Sequence, residues 1–148
     1  MADLKRLCLE AGFDRVQTYI ASGNVVFVSA DEAEAVKATL VRLLSGHTGK
    51  PAEVLIRTSI EMRAVFRANP FPKAEPARTY TFFLPGKPPR DALANVRHQK
   101  DEEIVLGKRE IYVYYPSGMG QSKLVIPAGA AGTARNMNTV AKLVAMTA

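Results

Sequence analysis

The sequence predicts an α+β fold built from two ferredoxin-like, or split β-α-β, halves with antiparallel or mixed sheets. A helix, a hairpin and a second helix recur in each half of the 148-residue chain. The 47% hydrophobic content is enough for two small halves that share one core. We therefore predict one compact body with an N-terminal half, residues 1–72, and a C-terminal half, residues 73–148.

The first half opens with a short helix and a β-hairpin. The segment "ADLKRLCLEAG" has apolar residues at helical spacing and ends at Gly12, which is typical of a left-handed helix terminus. Two β-rich runs follow at 16–20 and 25–28, and residues 21–24 between them suit a tight turn. The second run is apolar on both faces, so we expect it inside a sheet and covered on each side.

A longer helix, a strand and another helix complete the first half. Residues 31–34 form an approximate capping box ahead of a helix that we expect to end near 45–46. The segment "AEVLIRT" predicts a strand. A second capping box at 58–61 predicts a helix that stops at "NPFP", where two prolines prevent its continuation.

The second half repeats this outline. The segment "RTYTFFL" predicts a strand, and a helix is expected at 91–97. A second hairpin has its arms at 103–106 and 110–115. A glycine-rich loop follows, and "NMNTVAKLVAM" predicts the last helix.

Composition excludes several classes of protein and favours anionic partners. No stretch is apolar for long enough to span a bilayer, and the charged N-terminus lacks the apolar centre of a signal peptide, so we expect a cytoplasmic protein without membrane partners. A single cysteine, Cys8, rules out an internal disulfide, and with only two histidines we expect neither a metal site nor a cofactor. The net charge of +6 favours nucleic acids or phosphorylated metabolites, although no run of five basic residues occurs.

Four sequence blocks resemble the bacterial domain-of-unknown-function family 1697, in that family's order and over nearly the whole chain. They are "YIASGNVVF", "NPFP", "YYPSGMGQSKL" and "TARNMNTVAKL". The resemblance implies a two-part α+β fold of ferredoxin-like subdomains and no established biochemical activity. Members of that family usually begin earlier, with a β-strand ahead of this first helix, so the resemblance implies an unpaired edge beside 25–28. We expect a homodimer through that edge, or a lower stability than that of a longer polypeptide.

The segment "SGMGQSKL" is a candidate anion-binding loop. It fits neither the G-x-x-x-x-G-K-[ST] phosphate loop nor G-x-G-x-x-G. Gly118 and Gly120 nevertheless free the backbone to present N–H groups, and Ser122 and Lys123 add a hydroxyl and an ammonium. The alternative is that the glycines only turn the strand and that Lys123 faces solvent.

Arg135 lies at the predicted start of the last helix, where the helix dipole disfavours a cation unless an anion stands beside it. A carboxylate of the protein is the usual partner, and a phosphate is the alternative. Asn136 and Asn138 either join this site or cap the helix. The hairpin tip at Ser22 and Asn24 is a further shared surface, unless turn geometry alone explains it. The predicted anion site therefore comprises Gly118, Gly120, Ser122, Lys123, Arg135, Asn136 and Asn138.

These observations favour a non-catalytic protein that binds an anion or a nucleic acid. Tyr112 and Tyr114 share one face of their strand, where they either stack on bases or belong to the core. The alternatives are an enzyme that acts on a phosphorylated small molecule and a subunit-interaction domain. No catalytic residue is identified, because Cys8 lies on an apolar helix stripe and neither His47 nor His98 has a predictable partner.

Overall fold

The computed structural model describes residues 2–19, 23–50, 54–130 and 132–147. Within these ranges the chain forms four α-helices and two antiparallel sheets, which confirms the α+β class. The division into two ferredoxin-like halves stays a prediction, and the two sheets are compatible with it. The chain divides into two compact units, here the first unit (Met1–Thr58 with Met146–Ala148) and the second unit (Ser59–Ala145).

The first unit contains a hairpin and two helices around a small apolar core. Its elements are α1 (Ala2–Glu10), β1 (Asp14–Tyr19), β2 (Asn24–Val28) and α2 (Ala33–Thr48). Gly12 follows α1 with a φ of 86°, as the sequence predicts. The buried core consists of Cys8, Phe13, Val16, Val36 and Leu40.

Strands β1 and β2 form the predicted antiparallel hairpin, although turn residues 20–22 lie outside the described ranges. On β2, Phe27 points to the core, where its ring stacks on that of Phe13 with centroids 4.3 Å apart. Val28 is 52% exposed. Among the described residues only β1 pairs with β2. The prediction that both faces of β2 are covered is therefore wrong at Val28.

Helix α2 is longer than predicted and is capped differently. It ends at Gly49, whose φ is 72° and whose N–H donates to the Ser45 carbonyl at 2.8 Å. At its start the N-cap residue is Glu32, whose side chain makes no capping bond, so the predicted capping box does not form.

The segment Val54 to Thr58 forms no strand and joins no ladder among the described residues, so the predicted strand is wrong there. Its alternation is nevertheless that of a strand, since Val54 and Ile56 both pack against the core of the first unit. Residues 52 and 53 of the predicted strand lie outside the described ranges.

The second unit is built on a four-stranded antiparallel sheet with the order β4-β5-β3-β6. Helix α3 (Ser59–Arg67) precedes the sheet, and α4 (Met137–Met146) follows it. The strands are β3 (Thr79–Phe83), β4 (Glu103–Leu106), β5 (Glu110–Tyr114) and β6 (Thr133–Asn136). The sequence places the boundary between the halves at residue 72, whereas α3 groups with the second unit.

Side chains on both faces of the central strands are buried. On one face, Ile111, Val113 and Tyr115 form a core. On the other face, Tyr112 is 2% exposed and its hydroxyl donates to the Val65 carbonyl of α3 at 3.0 Å. The tyrosines of β5 therefore do share a face, as predicted, but Tyr112 belongs to the core and offers no platform for bases.

Two further elements differ from the sequence prediction. The expected helix at 91–97 is a series of turns, in which the N–H groups of Ala92, Ala94 and Val96 donate to carbonyls three residues earlier. The glycine-rich connector contains a strand, β6, which pairs antiparallel with β3. This strand was missed because "TARN" has neither apolar alternation nor β-branched enrichment.

The glycine that precedes β6 gives a direct test of this packing. A Cβ on Gly132 would collide with the Phe83 carbonyl oxygen and lie 2.9 Å from Leu84 Cδ2. We expect Gly132→Ala to lower the free energy of unfolding by about 1–3 kcal/mol, measured by urea denaturation. The control is Gly86→Ala, where a Cβ meets nothing within 4 Å and the change should stay within about 0.5 kcal/mol. Equal effects at the two glycines would contradict the close approach of Gly132 to the end of β3.

Candidate functional site

The candidate site lies where two connectors of the second unit meet. The Arg97 N–H donates to the Val125 carbonyl and the Val125 N–H donates to the Arg97 carbonyl, each at 2.9 Å. This isolated antiparallel bridge brings the two segments together, and Lys100 and Ser122 both lie at the concavity beside it. Residues that are distant in sequence thus line one junction.

A buried carboxylate fastens this junction. Glu102 is 5% exposed, and its Oε1 accepts the Lys100 N–H at 2.6 Å. Its Oε2 accepts the Ser122 hydroxyl, whose oxygen in turn accepts the Leu124 N–H at 3.1 Å. The Ser122 hydroxyl is the main cause that holds the pKa of Glu102 below its ordinary value, and the Lys100 N–H adds to it. Glu102 is therefore a charged residue with both oxygens engaged by the protein.

Beside this carboxylate lies an open concavity of about 440 Å³. Its lining includes Tyr115, which is 4% exposed and whose ring packs edge-on against Tyr80 with centroids 5.5 Å apart. Burial, then the charge of Glu102 and the neighbouring Tyr80, raises the pKa of Tyr115 to about 12. Ser117 also lines the concavity and donates to Asp101 Oδ2 at 2.6 Å. The serines and acids that line the concavity thus make hydrogen bonds to one another within the protein.

Three of the predicted anion-site residues, Gly118, Ser122 and Lys123, line this concavity. Gly118 has a φ of 87° and precedes the short 3₁₀ turn Met119–Gln121, in which Gly120 lies. The glycines therefore turn the chain, which is one of the two roles weighed from the sequence. Ser122 directs its hydroxyl to Glu102, whereas the Lys123 side chain is exposed.

The other predicted site residues lie elsewhere in the second unit. Arg135 is on β6 opposite Thr81, so its side chain leaves the face of the sheet opposite to that of Tyr115. Its Nη1 donates to Thr133 Oγ1 at 2.7 Å and to the Ala134 carbonyl at 2.8 Å, and burial lowers the pKa of the guanidinium. The prediction that Arg135 opens the last helix is wrong, because a strand continues through residue 136 and the helix starts afterwards.

Asn136 and Asn138 also lie apart from the concavity. Asn136 Oδ1 accepts the Thr139 N–H at 3.0 Å, which is the capping role weighed from the sequence. Asn138 is exposed on α4. The structure therefore does not bring the seven predicted residues together, and anion binding by any of them stays a prediction.

The hairpin tip gives no second cluster within the described residues. Ser22 lies outside the described ranges. Asn24 is buried, and its Nδ2 donates to the Tyr19 carbonyl at 3.2 Å across the hairpin. That bond is the turn geometry weighed as the alternative from the sequence.

Sequence reasoning missed Glu102, which lies in a run of three acids at the start of the predicted hairpin. The predicted hairpin already contained the signal. Glu103 pairs with Tyr114 in the register, so the residues just before 103 and just after 115 must be neighbours. An acidic pair on one side of the hairpin end and two serines on the other are then candidates for hydrogen bonds.

The excess positive charge of the protein lies entirely in the second unit. Residues 59–145 contain 13 Lys and Arg against seven Asp and Glu, whereas residues 1–58 contain seven of each. Arg97, Lys100 and Lys123 bring three of these cations to the junction, and all three are exposed. At the junction, the exposed Lys100 and Lys123 therefore lie at the same concavity as internally bonded carboxylates.

The described residues offer neither a metal site nor a reactive cysteine. In the part of the chain that the structure covers, no three His, Cys, Asp or Glu side chains are placed to hold a metal ion. Cys8 is buried in the core of the first unit, and burial raises the pKa of its thiol. Among the described helices, none is long and apolar enough to cross a membrane.

The Glu102 contact makes stability depend on pH. Because the folded pKa of Glu102 is lowered from 4.5, its contribution is present above that pH and is lost as the pH falls through the folded value. We expect Glu102→Gln to lower the free energy of unfolding by about 1–2 kcal/mol at neutral pH and by less in acid, measured by urea denaturation. Glu103→Gln, at the exposed neighbour, is the matched control. An equal cost for the two variants, or a Glu102→Gln cost that does not change with pH, would show that this carboxylate does not fasten the junction.

Comparison with known proteins confirms the family resemblance. The model of a family described as "Protein of unknown function (DUF1697)" matches residues 1–112. A solved structure, described as that of conserved bacterial protein SP0830 from Streptococcus pneumoniae, matches with a TM-score of 0.80 and 22% identity over 100% of this chain and 88% of that chain. At this identity the likeness shows the fold alone. No curated protein shows significant similarity to this chain. Since the family model matches well over half of the sequence, the chain belongs to the DUF1697 family of proteins of unknown function.

Proposed function

We propose that the protein binds the phosphate backbone of single-stranded nucleic acid, without catalysis, through the junction in its second unit. The observation that carries this function is the charge distribution, because the whole net charge of +6 lies in residues 59–145. Exposed Lys and Arg side chains that approach phosphates release counterions, which is the main source of affinity in binding of this kind.

The geometry of the junction favours binding on its rim. Lys100 and Lys123 are exposed, whereas Glu102 is buried with both carboxylate oxygens already bonded. An anion at the rim therefore meets the ammonium groups before it meets the acid, and protein donors already stabilise the acid's charge. The remaining acid, Asp101, accepts a hydrogen bond from Ser117. With two acids near three cations, we expect modest affinity that falls steeply with salt.

The sheet of the second unit favours recognition of the phosphate backbone of a nucleic acid over recognition of its bases. Recognition of bases by a sheet of this kind requires exposed aromatic rings on the sheet surface. Here Tyr112 is buried, and the Tyr114 ring packs on Phe71 with centroids 5.8 Å apart. We therefore expect little preference among sequences of the same length and charge. The cytoplasm, expected from the sequence, is a compartment that contains such ligands.

An enzyme acting on a phosphorylated small molecule is the second candidate. The concavity of about 440 Å³ favours it, since an open surface patch alone would not enclose a small ligand. The two candidates differ in what competes with binding. A mononucleotide should fully displace a small-molecule substrate. A bound single-stranded nucleic acid, several of whose phosphates contact the protein, should resist displacement by the same concentration of phosphate.

Titration of a labelled single-stranded RNA at two salt concentrations tests the binding. We expect the double variant Lys100→Ala and Lys123→Ala to bind RNA more weakly. The slope of log affinity against log salt concentration should become less steep by about 1.4, which corresponds to the loss of two phosphate contacts on single-stranded nucleic acid. Alanine at Lys100 keeps the backbone N–H that Glu102 accepts, so the junction should stay folded.

The matched control removes the same charge elsewhere in the second unit. Lys87→Ala with Lys142→Ala deletes two exposed lysines that do not line the concavity. If both double variants lose affinity equally, net charge alone attracts the ligand and the junction is not the binding site. If RNA does not bind at low salt, the proposed function fails.

A further inference from the structure

Tyr115 is the residue of the junction that the proposed function leaves unused. Its N–H donates to the Arg78 carbonyl at 2.8 Å, and its carbonyl accepts the Gly118 N–H at 2.9 Å. Its ring belongs to the core of the second unit and packs edge-on against Tyr80. The backbone and the ring of Tyr115 are therefore held in place before any ligand binds, which is what a recognition group requires.

The hydroxyl group of Tyr115 is open to the concavity. Within the described ranges it makes no hydrogen bond, although the residue is only 4% exposed. In the same ranges, no fully buried side-chain oxygen or nitrogen lacks a hydrogen-bond partner, so the Tyr115 oxygen is not fully enclosed. The concavity is the open space that Tyr115 lines. A nearly buried hydroxyl without a partner among the described residues therefore reaches this space.

Asp101 brings a hydrogen-bond acceptor to the same concavity. Its Oδ2 accepts the Ser117 hydroxyl at 2.6 Å, whereas its Oδ1 accepts no hydrogen bond from the described residues. A carboxylate has about four acceptor positions, and Asp101 is exposed. Asp101 can therefore accept further hydrogen bonds from a ligand.

The groups in the inner part of the concavity suit a neutral hydroxyl better than a phosphate. The pKa of Tyr115 is raised to about 12, so its hydroxyl stays protonated and donates at neutral pH. Asp101 and the buried Glu102 are carboxylates, and their negative charge would repel a phosphate beside them. A sugar hydroxyl carries no charge and both donates and accepts. It therefore matches a phenol donor and a carboxylate acceptor in one concavity.

We propose that the concavity holds a ribose of single-stranded RNA, with its 2′-hydroxyl accepting from the Tyr115 hydroxyl and donating to Asp101. This inference rests on the proposed function and names RNA as its ligand, because the 2′-hydroxyl is the group by which a protein distinguishes RNA from DNA. Lys100 and Lys123 come from the two segments of the junction, and at the rim they meet the phosphates on either side of the sugar. The volume of about 440 Å³ is within the range of about 300–1,000 Å³ that is typical of small-ligand sites, so it accommodates one nucleotide unit.

Three ligands of one sequence and length separate recognition of the hydroxyl from attraction to phosphate. They are single-stranded RNA, DNA and 2′-O-methyl RNA, each titrated against the unmodified chain by fluorescence anisotropy at low salt. One neutral hydrogen bond changes affinity by about 3- to 10-fold, so RNA should bind about 10-fold or more tightly than DNA, which makes neither bond. In 2′-O-methyl RNA the sugar oxygen can no longer donate to Asp101, so this ligand should bind about 3- to 10-fold more weakly than RNA.

Tyr115→Phe removes the hydroxyl alone. The variant keeps the ring that packs in the core, and the lost oxygen bonds nothing among the described residues, so the midpoint of urea denaturation should change little. We expect the preference for RNA over DNA to fall by about 3- to 10-fold, while the affinity for DNA and its salt dependence stay as in the unmodified chain. The matched control is Tyr114→Phe, because the Tyr114 ring packs on Phe71 and does not line the concavity. This control should keep the full preference for RNA.

The outcomes distinguish this inference from the proposed function. Equal affinity of the unmodified chain for RNA, DNA and 2′-O-methyl RNA would overturn recognition of the sugar but leave binding of the phosphate backbone standing. An unchanged preference in Tyr115→Phe, or an equal loss of preference in the two phenylalanine variants, would have the same consequence. If none of the three ligands binds at low salt, the proposed function fails, and this inference fails with it.

Discussion

The candidate site depends on the buried carboxylate of Glu102 and its two donors. One donor, the Lys100 N–H, is local, whereas the other, the Ser122 hydroxyl, comes from a connector 20 residues away. A buried carboxylate without donors would cost several kilocalories per mole, so the connector that covers Glu102 also has to supply a donor, and Ser122 is that donor. The exposed lysines occupy the rim because an acid beneath them holds the two segments together. The rim of the junction is therefore basic, whereas the side chain that holds its two segments together is the acid Glu102.

Most local elements could be predicted from the sequence, whereas pairing between distant segments could not. Both hairpins follow from alternation and from turn residues within about ten positions. Strand β6 pairs with β3, in which Arg135 lies opposite Thr81, and nothing in "TARN" itself reports that partner. The segment that begins at Val54 shows the converse, because its alternation is that of a strand but no described partner pairs with it. Secondary structure of this kind depends on tertiary context.

The candidate site was predicted in part for the same reason. Ser122 and Lys123 were found because glycines, a hydroxyl and a cation stand together in sequence. The sequence places Arg135 with them because it predicts that the last helix begins there. It lies instead in a strand, where alternation sends its side chain to the face opposite Tyr115. A difference of two residues in where the last helix begins therefore changes which face of the sheet carries the Arg135 side chain.

The two units differ in what they leave exposed, and this difference bears on which ligand the protein suits. The second unit has the net charge and a sheet whose central side chains are buried, whereas the first unit is neutral. A long polyanion that meets several exposed cations of the second unit would release more counterions than a small phosphorylated ligand bound in the concavity. The spread of positive charge over the second unit is therefore the argument for nucleic acid over a small phosphorylated ligand.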